Sequence, residues 1–304
     1  MTDTQAAQRP GLETTEVRLP DGRRLEVWLA GPAGGLPVVA HHGTPGCGLP
    51  DRLLVATAQQ RGIRLVVPTR PGYGGSDPHP GRSVFSVASD TAAVLDAFGH
   101  GRVAVMGGSG GGPHALATAA GLGDRVVAAA TVAGVGPYGV EGLDFLAGMG
   151  QDNIDEFGAA LAGEAELRPF LTAVRGALLE ATPEQIVEEL GTLLPAPDRA
   201  VLNGELGEDV AASFRHALAP GIEGWLDDDM AFTRPWGFEL ADVRVPVSVW
   251  QGDLDLMVPA AHGRWLAGAL PTARPHLLPD DGHLSIEAGR AGEILDELVA
   301  PLRG

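Results

Sequence analysis

The chain of 304 residues carries a formal net charge of −18, with 21 basic against 39 acidic side chains, which argues against nucleic acid and polyanionic partners. Its length suits one large α/β domain with an insertion, and its 44 glycines and 24 prolines announce many turns. A single cysteine, Cys47, excludes an internal disulfide or thiolate metal site and fits a reducing cytoplasm, and no apolar run approaches the roughly 20 residues that span a bilayer.

Residues 1–15 have neither a basic start nor an apolar core, so no secretory signal is read there and a flexible tail is expected. Thr15 to Leu19 and Arg24 to Ala30 flank Pro20-Asp21-Gly22-Arg23, the pattern of a β-hairpin. Short apolar runs follow at Pro37 to His42, Ile63 to Pro68, Val103 to Met106 and Val126 to Val132, as buried parallel strands require. Between them, Arg52 to Gln60, Val84 to Phe98 and Pro113 to Gly121 read as crossover helices, so a doubly wound sheet is predicted. From Pro137 to Pro235 the alternation stops and helical spacing takes over, broken by prolines, which predicts a helical insertion between a core of 1–136 and 236–304. Strand character returns at Val245 to Trp250 and Pro275 to Leu278, and a closing helix is expected over Ile286 to Leu302.

One serine, Ser109, lies in Gly107-Gly108-Ser109-Gly110-Gly111, directly after an apolar strand. Such a run is either a tight turn, a phosphate-cradling loop or the elbow of a strained nucleophile. A dinucleotide loop needs G-x-G-x-x-G with an acidic residue about 20 positions on, in the chain's first strand and turn, and a Walker loop needs a Gly-Lys-Ser/Thr ending. A serine nucleophile needs a base, and the base needs an orienting group. Asp253 and Asp255 follow one predicted strand, and His283 follows the last, giving the chain order serine, acid, histidine. His41 and His42, adjacent on a strand, point to opposite faces, so no metal site is expected of them.

With these residues in place, the sequence resembles the α/β-hydrolase superfamily over nearly its whole length. The matching motifs are His42-Gly43-Thr44-Pro45-Gly46, Arg70-Pro71-Gly72-Tyr73-Gly74-Gly75-Ser76, Gly107 to Gly111, Gly252-Asp253-Leu254-Asp255 and Asp281-Gly282-His283. The resemblance implies an α/β-hydrolase fold with Ser109 as nucleophile, His283 as general base and acid, and Asp255, in preference to Asp253, as the orienting acid. It also implies an oxyanion hole made by the backbone N–H groups of Gly110 and Thr44; Pro45 has no N–H to give. His42, Arg70 and Asp77 are expected to brace loops, His114 to pack or cap on the first turn of the helix after the elbow, and Cys47 to be a small buried residue.

In this superfamily an insertion after the sixth strand commonly forms a lid over the serine, which assigns Pro137 to Pro235 that role. Its aromatic residues either line a substrate pocket, with Tyr138, Trp225 and Phe232 as candidates, or form its own core. Glu223 and Asp227-Asp228-Asp229 are either an exposed acidic loop or a trap for a substrate amine, as in prolyl aminopeptidases, which this chain resembles more distantly. Serine at the elbow argues against the aspartate-nucleophile dehalogenases and epoxide hydrolases. The expected function is hydrolysis of a small or medium carboxylic ester, with no cofactor, no metal and a small-molecule ester or amide as partner. Amide hydrolysis and slow ligand binding on the same fold stand as alternatives. Activity is expected to fall on acidification through about pH 6.5, the ordinary histidine range.

Overall fold

In the computed structural model, which describes residues 11–202 and 204–303, strands β1 (Leu12–Arg18) and β2 (Arg24–Ala30) form the hairpin. The expected tail is therefore strand from Leu12 onward, and residues 1–10 lie outside the described residues. Strand β1 runs antiparallel to β2, pairing Arg18 with Arg24, and β2 runs antiparallel to β4 (Ile63–Pro68). All other pairings are parallel, among β3 (Leu36–His41), β5 (Val103–Gly108), β6 (Val126–Val132), β7 (Val247–Gly252) and β8 (Ala273–Leu278). The order β1-β2-β4-β3-β5-β6-β7-β8 places β4 on one side of β3 and β5 on the other. At such a reversal the loops leaving the strands part and open a crevice at their carboxyl ends.

Alternation along the strands supplies two cores. Val38, Ala40, Leu65, Val67 and Ala104 face helices α1 (Arg52–Gln60) and α11 (His283–Val299). Val39, Val66, Val103 and Val105 face α2 (Val87–Ala97), α3 (Gly111–Leu122) and α10 (Ala260–Ala269). Successive residues on a strand point to opposite faces, so unbroken apolar runs are what a sheet covered on both sides demands.

Between β6 and β7 lie helices α4 (Gln151–Ala162), α5 (Glu164–Glu180), α6 (Pro183–Glu189), α7 (Ala196–Val201), α8 (Glu205–Leu218) and α9 (Glu223–Phe232). They form the insert. Its own core centres on Ile186, Leu194, Leu202 and Ala211, while Trp225, Leu226, Leu167 and Leu171 join the main core. No helix among the described residues is long and apolar enough to cross a membrane.

Some element boundaries differ from the sequence reading. The stretch from Val84 begins as a 3₁₀ turn, Val84–Ser86, before α2, and α3 starts at Gly111, two residues ahead of Pro113. Helix α11 starts at His283, three residues before Ile286.

At the β5–α3 junction the two backbones touch. A methyl group on Gly107 would lie 2.9 Å from Gly112 N and closer still to the Gly111 carbonyl; one on Gly111 would lie 2.7 Å from the His42 carbonyl oxygen. Gly107→Ala should therefore cost at least about 3 kcal/mol, or about 6 °C in Tm for a chain this long. Gly101→Ala, where the methyl meets nothing within 4 Å, should leave Tm unchanged within about 1 °C by thermal denaturation.

Candidate active site

Ser109 sits between β5 and α3 with φ of +54°, in the left-handed region that a non-glycine residue rarely occupies. Its N–H donates to Val132 O at 2.9 Å, and its carbonyl accepts from Gly112 N at 3.0 Å and Val135 N at 3.3 Å, so backbone on both sides holds the turn. His114, one turn into α3, is buried and bonds Gly110 O through Nδ1 at 2.8 Å, which ties its ring to the elbow.

His283, the first residue of α11, bonds Asp255 Oδ2 through Nδ1 at 2.8 Å, and both side chains are buried. Asp255 is itself fixed: Oδ1 accepts from Met257 N at 2.9 Å and Val258 N at 2.8 Å, and Oδ2 from Gln251 Nε2 at 3.1 Å. Asp253 instead pairs with Arg264 at 2.7 Å on the surface. A carboxylate on Nδ1 places the proton there and leaves Nε2 as the basic nitrogen.

Ser109 and His283 line one cavity of about 510 Å³ under the insert. The turn after β3 enters the same cavity: a methyl on Gly43 would lie 3.5 Å from Ser109 Cβ, and one on Gly110 would lie 2.9 Å from Thr44 Cβ. Thr44 and Gly110 are thus in contact beside the serine. Trp225 and Phe232 also line the cavity, with Phe157, Phe170 and Phe214. Tyr138 does not; it is 40% exposed outside the cavity and packs edge-on against Phe145.

The charges differ from the sequence reading. Asp227, Asp228 and Asp229 are buried on α9 and form no exposed acidic loop, and Glu223 is paired with Arg168 on the surface. Asp228 is no free amine trap, because Arg70 and Arg82 neutralise it at 2.7 and 2.5 Å. Burial would raise its pKa, but the two guanidinium groups hold it well below the usual carboxylate range. Asp229 faces Glu156 with no N–H or O–H donor on either oxygen; burial first, then Glu156 itself, drives it well above the usual range. Glu156, which accepts from Trp225 Nε1 at 2.6 Å, is raised too, chiefly by burial.

Cavity-lining acids are Asp51, Asp152, Asp155, Glu156, Asp209, Asp229 and Glu287; among the described lining residues there is no lysine or arginine. Glu287 stands one turn beyond His283 against the elbow, its Cδ 3.1 Å from where a Gly108 methyl would be. Removal from bulk water pushes Glu287 up to about 7 against the pull of His283, with Asp51, Asp255 and Asp198 adding to the rise. For His283, burial disfavours the charged imidazole, yet Asp255, then Glu287 and Asp198, outweigh it and raise the pKa to about 9. That is well above the ordinary 6.5 expected from sequence.

Neither Asp198 nor Glu287 stood out in the sequence. Asp198 hides among prolines, and only the helical spacing of Glu287 from His283 hinted at proximity. His41 bonds Thr118 Oγ1 at 2.9 Å, and His42 bonds Gly43 O through Nδ1 at 2.8 Å and accepts Arg70 N–H on Nε2 at 2.9 Å, so both brace the fold. Asp77 pairs with Arg24 at 2.8 Å, and Cys47 is buried. Among the described residues, no three His, Cys, Asp or Glu side chains group so as to hold a metal ion.

A family model described as the alpha/beta hydrolase fold matches residues 37–153. The chain is 35% identical over 243 residues to a non-heme chloroperoxidase of Streptomyces lividans, spanning 79% of this chain and 82% of that protein. Solved structures with the same fold include an esterase from Rhodococcus sp., with TM-score 0.66 and 20% identity over 94% of this chain and 98% of that one. An enol-lactonase from Burkholderia xenovorans superposes with TM-score 0.66 and 20% identity, covering 95% of this chain and 100% of the other. Sheet order, elbow and relatives define an enzyme of the hydrolase class. The chain belongs to the alpha/beta hydrolase family.

Because Glu287 contributes to the raised His283 value, Glu287→Gln should lower it by about half a unit or more. Titration of the imidazole by NMR measures this, with the wild-type midpoint expected at about 9.

Proposed function

We propose that the protein is a serine hydrolase that cleaves a small or medium carboxylic ester through an acyl-enzyme on Ser109. The observation that carries this reading is the meeting, in one cavity, of the left-handed Ser109 with the His283–Asp255 pair. Ser109 Oγ attacks the ester carbonyl as His283 Nε2 takes its proton, and Asp255 holds the imidazole and its positive charge. The oxyanion is met by Gly110 N–H, at the head of α3, and by Thr44 N–H. Collapse of the tetrahedral adduct breaks the bond to the alcohol, which leaves with the proton from His283. Water, deprotonated by His283, then releases the acid and restores Ser109. The insert, as a lid, sets substrate choice by closing the cavity with Trp225 and Phe232.

A lining with several carboxyl groups and, among the described residues, no lysine or arginine favours neutral or cationic substrates over anions. A second reading, hydrolysis of an aminoacyl amide, is favoured by Glu156 and Asp229, two carboxyl groups of the cavity lining that an ammonium group would pair with.

A screen of p-nitrophenyl esters of graded acyl length beside aminoacyl p-nitroanilides separates the two readings. Ser109→Ala should lower kcat on the best substrate by about 10⁶-fold with the fold intact, and a fluorophosphonate should label wild-type Ser109 stoichiometrically. Folded wild-type protein that neither labels nor turns over would favour the ligand-binding alternative. The base must be neutral to act, so kcat/KM should rise with pH towards a half-maximum near 9 and be largely lost at pH 6.5.

A further inference from the structure

The insert reaches into both halves of the site through two buried aspartates. Asp198, on α7, is fully buried and accepts three backbone N–H groups at the start of α11: His283 at 2.8 Å, Leu284 at 3.1 Å and Ser285 at 2.8 Å. A helix begins with unpaired N–H groups and a partial positive charge, and here a remote carboxylate satisfies both. The helix so fixed opens with His283 itself.

Asp228, on α9, accepts from Thr44 Oγ1 at 2.8 Å, Tyr73 Oη at 3.0 Å, Arg82 Nη1 at 2.5 Å and Arg70 Nη2 at 2.7 Å. Arg70 carries the constraint onward. Its Nη2 donates to Gly43 O at 2.9 Å and Thr44 Oγ1 at 2.9 Å, and its Nη1 donates to His42 O. Gly43 C=O and Thr44 N–H belong to one peptide group, which is planar with its oxygen and hydrogen on opposite sides. Turning the Gly43 oxygen toward Arg70 therefore turns the Thr44 N–H away from the ion cluster.

We propose that Asp198 and Asp228 are positioning residues, through which the insert assembles the catalytic machinery: Asp198 sets the base His283, and Asp228, acting through Arg70, aims the oxyanion donor Thr44. This rests on the serine-hydrolase reading for the roles of His283 and Thr44. The insert is thereby a structural part of the active site as well as its cover. Neither aspartate touches substrate, so their loss should appear in kcat and leave KM near the wild-type value.

Two conservative variants test this without emptying a buried site. Asp198→Asn keeps one accepting oxygen for the helix N–H groups, puts an NH₂ that cannot accept in place of the other, and removes a charge that, with Asp255 and Glu287, faces His283. It should retain kcat at its pH optimum within about threefold, whereas Asp198→Ala should lose about 10- to 100-fold. The His283 titration in Asp198→Asn, read by NMR, should move about half a unit or more toward acid, and the pH profile with it. Arg70→Lys keeps a charge beside Asp228 but lacks the planar fork that grips carboxylate and carbonyl together. Its kcat should fall about 10- to 100-fold at unchanged KM, with phosphonate labelling slowed in parallel. An unshifted His283 titration in Asp198→Asn, or an Arg70→Lys kcat within about twofold of wild type, would overturn the proposal. The imidazole titration needs no turnover, so it judges the positioning of His283 even where the hydrolase reading fails.

Discussion

Where β5 turns into α3, two backbones lie against each other with no room for a side chain at Gly107 or Gly111. From that contact the rest of the site follows. It forces the chain at Ser109 through the left-handed region, and the turn survives because the carbonyl of Val132 and the N–H groups of Gly112 and Val135 hold it from three directions. Strain of this kind costs about 1–3 kcal/mol and persists only where its surroundings over-determine it. The return is a hydroxyl raised at the head of a helix, beside the turn after β3 and facing the loop after β8.

Buried charge is the second organising element. Placing Asp228 beside two arginines in the interior contributes little net stability, since desolvation offsets much of the attraction. What such a cluster does give is direction, because a planar guanidinium binds at fixed angles. On the other side of the cavity the balance is reversed: burial first, then neighbouring carboxyl groups, raises Glu156, Asp229 and Glu287, and Asp255 raises His283 against its own burial.

The inner strands were readable because they are apolar runs, and the order of Ser109, Asp255 and His283 because each follows a strand, the last of them, β8, being a partly exposed one. Boundaries were less so. Helix α11 begins at His283 because Asp198, 85 residues away, satisfies its first N–H groups, and no signal within the helix itself announces a cap supplied from elsewhere. Asp227 to Asp229 resembled a solvated acidic loop because their partners, Arg70, Arg82 and the Gly81 N–H, lie about 150 residues upstream, where local patterning does not reach. Tyr138 and Trp225 looked alike as aromatic residues of the insert; only packing separates the exposed one from the one that meets the cavity.

The excess of carboxyl groups around the cavity also bears on what leaves it. Ester cleavage turns a neutral molecule into an acid that ionises, so product and container come to carry the same sign of charge. In a confined space of low polarity that repulsion is weakly screened, whereas in bulk salt it fades within about 8 Å. The ionised carboxyl groups of the lining thus oppose the anion as it forms, while the imidazolium of His283, kept protonated below about pH 9, draws it back, so on this reading release of the acid eases as the base loses its proton.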